Sequence, residues 1–388
     1  LLIKKVMLRS LSILGFIMLM WSCADTLEKP KPSASEKKQA PRTFKIDYAQ
    51  GFEVQNFEGY KILSITEAWP NADKTFTYLL QESEDIDISG MGYDYKIKVP
   101  IERLVVTSTT HIPALEALGI LDHLVGFPNT NYISSNQARA LIEQGQIKNV
   151  GQDQNLNTEV LLSLKPDVVV SFAVKGQNKS VESIKNANIP VLYNADWVES
   201  HPLGKAEWIK FFGLLFDKND KAQQIFNTIK DEYEKAKALA SKSQTKPSVI
   251  SGALWKDQWY LPGGESWQAQ LIADAHAEYL YADTNTSGSL SLSFERVLND
   301  SQDAEYWIAP AQYTSYQQML DQQKHYKKFK AFQNKNIYTF AKTKGQTGGV
   351  LYYELAPQRP DWVLKDLIHI FHPKLLNTYE PQFFKPLD

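Results

Sequence analysis

Cysteine is nearly absent. The 388 residues hold one, Cys23, so no intrachain disulfide can brace the fold. Excess positive charge is missing too: the formal net charge is -2, and Lys4, Lys5 and Arg9 sit in a leader, which leaves the rest more acidic still. Phosphate backbones need a basic surface, so no nucleic-acid partner is expected. The apolar run over 11–20 is too short to span a bilayer comfortably. The histidines His111, His123, His201, His276, His325, His369 and His372 show no zinc-ligand spacing. The glycines of 345–349 lack the Gly-Lys-Ser/Thr of a phosphate loop and read instead as a bend beside a cleft. In Gly264-Glu265-Ser266-Trp267-Gln268, glutamine stands where a nucleophile elbow needs glycine, so Ser266 reads as a helix cap.

The first 42 residues are not expected to join the fold. Basic residues, a short apolar core and Ser22-Cys23 resemble a bacterial lipoprotein signal over 1–23, with Cys23 as the lipidated N-terminus after cleavage. Met20 and Trp21 are unusual beside such a cleavage site, and a plain signal or anchor with an incidental cysteine is the alternative; Met7 is an alternative start. Either reading exports the chain. Residues 24–42 are polar and rich in Pro, Lys and Glu, which makes them a flexible tether. As a coil it reaches roughly 25 Å, enough to hold a globular body off a membrane.

What is abundant is apolar pattern. A hydrophobic content of 43% excludes a disordered chain, and the length favours two lobes. Ala222, Ile225, Phe226, Ile229, Tyr233 and Ala236 form one stripe at helical spacing, so a long helix is predicted over 220–240, capped by Asn219 or Asp220. Sequence on its two sides repeats. Leu156, Asn157, Glu159, Leu162 and Asp167 recur in spacing as Leu292, Ser293, Glu295, Leu298 and Asp303, each set followed by an apolar run, 168–170 or 306–308. Each copy reads as a capped helix feeding a buried strand.

The expected architecture is α/β: two Rossmann-like lobes with parallel sheets joined by one long helix, a ligand cleft between them, and a small N-terminal β extension. Its parts are the extension over 43–100, a first lobe over 101–217, the interlobe helix over 218–243 and a second lobe over 244–388. Strands are predicted at 103–107, 148–150, 168–172 and 191–194 in the first lobe. The second has them at 248–253, 258–261, 306–310 and 336–340. One helix is predicted over 201–216, and the extension is expected to turn at Glu58-Gly59 and to cover a sheet edge.

Several residue groups carry a family resemblance. Arg103 to Thr107, Leu118-Gly119, Leu124-Val125-Gly126, Val150-Gly151 and Lys165-Pro166-Asp167 are joined in the second half by Pro262-Gly263-Gly264, Phe294-Glu295 and Arg359-Pro360-Asp361. From about Glu102 onward the chain resembles the substrate-binding proteins of ABC importers that serve ferric siderophores, haem and vitamin B12. The resemblance implies a non-enzymatic, monomeric receptor. It implies a metal-chelate ligand between the lobes, with no cofactor beyond that ligand, and a permease with its ATPase subunit as partners. It also implies that Glu159 and Glu295, one per lobe, dock onto permease arginines; a plain acidic residue favoured by a helix N-terminus is the duller reading.

Ligands of α/β sheets meet the loops at strand carboxyl ends. Those loops hold Thr109, Thr110 and His111, and the aromatic candidates Tyr132, Phe172, Trp197, Trp255, Trp259 and Tyr313. A flat or macrocyclic ligand needs such aromatic area. His111 is also a candidate ligand of a chelated metal. The rival readings are a receptor for a free metal ion and an exported serine hydrolase using Ser266.

Overall fold

A computed structural model describes residues 45–152, 155–174 and 179–388. The leader, Cys23 and the tether lie outside the described residues.

The long helix is Asn219–Ala240. Ala222, Phe226, Ile229, Tyr233, Ala236 and Ala240 are buried on one face, three or four residues apart, so the apolar stripe drives the helix onto its neighbours. It starts at Asn219 with Lys218 in the cap position and no side-chain cap bond, whereas a cap from Asn219 or Asp220 was expected. Polar contacts tie it to both halves. Lys221 Nζ donates to Leu118 O at 2.8 Å on one side, and Tyr233 Oη donates to Asp274 Oδ2 at 2.6 Å on the other.

Each half carries a five-stranded sheet. In the first, the order is Val191–Tyr193, Val168–Ser171, Leu104–Val106, Leu124–Phe127 and Lys148–Asn149, all parallel. The second runs Glu278–Tyr279, Ser248–Ser251, Tyr306–Ile308, Ile337–Thr339 and Lys385–Pro386, parallel except for the last strand. Helices cover the parallel strands, which is why those strands read as unbroken apolar runs. The strand Leu124–Phe127 was not predicted. Its Gly126 interrupts the apolar run, yet a Cβ there would meet Val150 Cγ1 at 2.8 Å and Leu164 Cδ1 at 2.9 Å, so packing demands glycine.

Two other expectations need correction. The helix predicted over 201–216 is two helices, Pro202–Glu207 and Ile209–Leu215, parted at Trp208. The strand predicted at 258–261 is Gln258–Pro262, the middle of a separate antiparallel sheet with Ala253–Trp255 and Ser289–Leu292. Gly252 enters that hairpin with φ near +77°, where a Cβ would collide with Tyr260 O.

The N-terminal sheet contains Phe52–Phe57, Tyr60–Ile65, Phe76–Gln81 and Tyr95–Lys98, with the predicted turn at Glu58-Gly59. It covers the free edge of the first parallel sheet. Tyr193 N, on that edge strand, donates to Tyr78 Oη at 3.2 Å, and the rings of Phe76 and Trp69 lie 4.6 Å and 5.6 Å from Tyr193. Two buried carboxylates hold its leading segment. Glu207 accepts from the N–H groups of Asp47, Tyr48 and Ala49 and pairs with buried Lys210 at 2.6 Å. Glu199 accepts from the N–H groups of Gln50 and Gly51 and from Trp208 Nε1. Hydrogen bonds to a charged acceptor contribute about 1.5–3 kcal/mol each, so the segment is firmly fixed.

Candidate ligand cleft

The carboxyl ends of strands from both sheets converge on a cavity of about 800 Å³. Ser251-Gly252, Ala309 and Phe340 enter it directly after three strands of the second sheet, and Trp197 follows the edge strand of the first. A smaller space of about 260 Å³ adjoins it, and Tyr353 borders both. Thr107, Ser108 and Thr109, Phe127 and Phe172, all at strand ends of the first lobe, there face Gly349, Val350, Tyr353 and Glu354 of the second. The space therefore lies between the lobes.

Aromatic rings are its main apolar surface. Trp197, Tyr260 and Tyr353 are 38%, 45% and 48% exposed and line the large cavity, with Trp267 and Tyr352 beside them. Tyr352 is stacked on Phe340 at 4.4 Å and on Trp267 at 6.0 Å, which fixes that wall. Trp267 is backed by buried Lys205, whose Nζ lies 5.3 Å from the ring and donates to Asp196 O and Trp197 O. Burial pushes the Lys205 ammonium down to about 8.

Of the sequence candidates, Thr109, Tyr132 and Phe172 line the smaller space and Trp197 the larger. The others do not reach the cleft. Trp259 is fully buried, stacked on Trp307 at 5.0 Å with its Nε1 donating to Ser251 O, so it presents no face to a ligand. His111 is buried against Phe212, and neither ring nitrogen has a hydrogen-bond partner among the described residues. That burial holds its pKa down at about 4, so the ring is neutral, and its nitrogens are shut away from any chelated metal. Thr110 pairs its hydroxyl with Ser108 and lines neither cavity. Trp255 is exposed but sits beyond the cavity on the hairpin, and Tyr313 packs towards Tyr326, outside both spaces. Ser266 caps the helix Trp267–Asp274, accepting from Ala269 N, and is buried. Gly349 borders the smaller space, as the bend over 345–349 was read.

Sequence reasoning missed Tyr260, Trp267, Tyr352, Tyr353 and Glu354. Strand parity was the available signal for Tyr260: side chains alternate, so a buried Trp259 turns Tyr260 outward. Nothing local marked Glu354. Its carboxylate, on the short helix Leu351–Leu355 of the second lobe, accepts from Ser134 N at 2.7 Å and Ser135 N at 2.9 Å in the first. This is a latch across the lobes at the floor of the smaller space. Burial pushes the Glu354 carboxyl up to about 7, against the lowering by those two backbone donors.

Glu159 and Glu295 share a setting. Each is the second residue of its helix, Thr158–Ser163 or Phe294–Ser301, after a cap (Asn157 or Ser293) whose side chain accepts the N–H of Val160 or Arg296. Both are exposed, and neither forms an ion pair among the described residues.

Residues 104–343 match the family described as periplasmic binding protein. An uncharacterized lipoprotein of Methanocaldococcus jannaschii is 25% identical over 305 residues, which cover 76% of this chain and 71% of that one. An uncharacterized ABC transporter substrate-binding lipoprotein of Bacillus subtilis is 26% identical over 54% of this chain and 65% of its own length. Among solved structures, a periplasmic heme-binding protein of Vibrio cholerae superposes with a TM-score of 0.53 at 18% identity, over 68% of this chain and 99% of that one. At that identity the likeness speaks for the fold alone.

Proposed function

Since the chain belongs to the periplasmic binding protein family, we propose that it is the extracytoplasmic receptor of an ABC importer, catching a metal chelate and handing it to the permease. One observation carries this reading: the aromatic-lined space of about 800 Å³ at the strand ends between two lobes. A cavity of that size suits a ligand far larger than a bare ion, and its rings suit a flat or macrocyclic one. Cobalamin, ferric siderophores and haem are the candidate classes. The receptor performs no reaction of its own; the ATPase subunit of the importer supplies the energy. Cys23 carries the lipid anchor in this proposal, and the tether lets the receptor reach its permease. Glu159 and Glu295, capped alike on separate lobes, are the docking carboxylates, and arginine forks are their natural partners. The hydrolase alternative loses its nucleophile, because the Ser266 hydroxyl is buried and engaged as a cap.

The test is purification from the native host followed by an absorption spectrum. A co-purifying chromophore in the visible range is expected, together with quenching of Trp fluorescence when the emptied protein is refilled. A protein that stays colourless and shows no spectral response to cobalamins, ferric siderophores or haem overturns the proposal.

A further inference from the structure

The N-terminal sheet does more than cap a sheet edge. It precedes the family match at 104–343, yet Gln50, Gly51, Glu67, Pro70 and Asn71 all line the larger cavity. We propose that this sheet is the specificity wall of the cleft and that, with Glu265 of the second lobe, it restricts the cargo to metal chelates without net negative charge. The inference rests on the receptor reading above and narrows its ligand class.

The wall is rigid where it meets the cavity. Gln50 and Gly51 are held through their N–H groups by buried Glu199, and a Cβ at Gly51 would meet Trp208 at 2.8 Å, so the segment sits as close as glycine allows. Trp69, just before Pro70, stands edge-on to Phe76 of its own sheet and to Tyr193 on the covered sheet edge. Asn71 then turns the chain with φ near +61°, a conformation asparagine tolerates, and Ala72 N closes the turn on Trp69 O.

The charge of the lining follows one sign. Among the described residues, the two adjoining spaces are bordered by Glu67, Glu199, Glu265 and Glu354 and by no Lys, Arg or His. Glu199 and Glu354 are committed to backbone N–H groups. Glu67 and Glu265 are exposed and unengaged by any ion pair among the described residues. Lys205 lies behind Trp267, outside the lining, and spends its protons on two carbonyls. Haem propionates or a tris-catecholate would meet two free carboxylates and no compensating cation among the lining residues. A neutral corrinoid edged with amides, or a trihydroxamate with a pendant ammonium, meets acceptors that suit its N–H groups.

The test titrates the exported chain, followed by Trp fluorescence, with four probes: cyanocobalamin (neutral), ferrioxamine B (cationic), haemin and ferric enterobactin (both anionic). Wild type is expected to bind at least one of the first two, and to bind it at least a hundredfold tighter than either anion. Glu67→Lys and Glu265→Lys, both at exposed positions, are checked for folding by circular dichroism. Each should raise affinity for an anionic probe at least threefold, and the double variant at least tenfold. Tight binding of haemin or ferric enterobactin by wild type overturns the charge rule and leaves the receptor reading intact. A response to Glu265→Lys with none to Glu67→Lys removes the N-terminal sheet from recognition. Failure of all four probes to bind overturns both readings together.

Discussion

Replacing Glu354 by glutamine tests whether the lobes are latched as described. The carboxylate joins the second lobe to Ser134 N and Ser135 N of the first, and burial holds its pKa near 7 against an ordinary 4.5. A raised carboxyl pKa means that the folded protein keeps a proton which the unfolded chain releases. Its contribution is therefore complete below pH 4.5 and is lost as pH rises through 7. With about 1.4 kcal/mol per pKa unit, wild type should lose about 2 kcal/mol of stability between pH 5 and pH 8 from this group. Glutamine does not titrate. It also turns an amide N–H toward one of two backbone donors, a penalty that is the same at both pH values. The assay is urea denaturation of wild type and Glu354→Gln at pH 5 and pH 8. Wild type should exceed the variant by about 2 kcal/mol more at pH 5 than at pH 8. An equal gap at both pH values refutes the buried, proton-holding latch. Glu354→Ala should cost more at either pH, about 2–5 kcal/mol, because two N–H groups lose their acceptor.

The remaining predictions separate core from cleft. Trp259→Ala should cost about 3–5 kcal/mol in urea denaturation, as a fully buried ring stacked on Trp307. Trp197→Ala should leave stability nearly unchanged and weaken ligand-induced quenching, because that ring is partly exposed in the cavity. His111→Leu should flatten the acid limb of stability: the histidine is held neutral, with a pKa down at about 4, so wild type loses stability as pH falls from 6.5 towards 4. A thermal melt series from pH 7 to pH 4.5 reads that difference, and parallel curves for the two proteins would contradict the burial argument. Glu159→Ala combined with Glu295→Ala should abolish uptake in cells while leaving ligand affinity within twofold; an equal loss of both would remove the docking role.

Much of the scaffold was legible because it rests on repeated local rules. The stripe from Ala222 to Ala236, the unbroken valines of Val168–Ser171 and the caps at Asn157 and Ser293 each carry their structure in a few neighbouring residues. The matching helix positions of Glu159 and Glu295 were readable for the same reason. The failures came where a residue's fate depends on distant chain. Trp255, Trp259 and Tyr260 look alike in sequence, yet Gly252 starts a hairpin that turns one into solvent, one into the core and one into the cleft. His111 follows a strand, as a site residue should, but the 3-10 turn Thr109–His111 swings its ring under Phe212.

The cleft wall supplied by the N-terminal sheet was the least legible feature, for a physical reason. Its ties are backbone N–H groups of 47–51 meeting carboxylates about 150 residues away in sequence, and a backbone donor leaves no mark on residue identity. Glu199 and Glu207 look like ordinary helix-region acids until their partners are known. Buried carboxylates must find donors or lose their charge, and Glu199 and Glu207 find them in the backbone of the segment folded over them, Glu207 with buried Lys210 as well. That segment brings Glu67, Pro70 and Asn71 to the cavity that the two parallel sheets frame. In the proposed receptor, recognition is thus divided: the lobes provide the aromatic bed, and a sheet outside the family match provides one charged side of it.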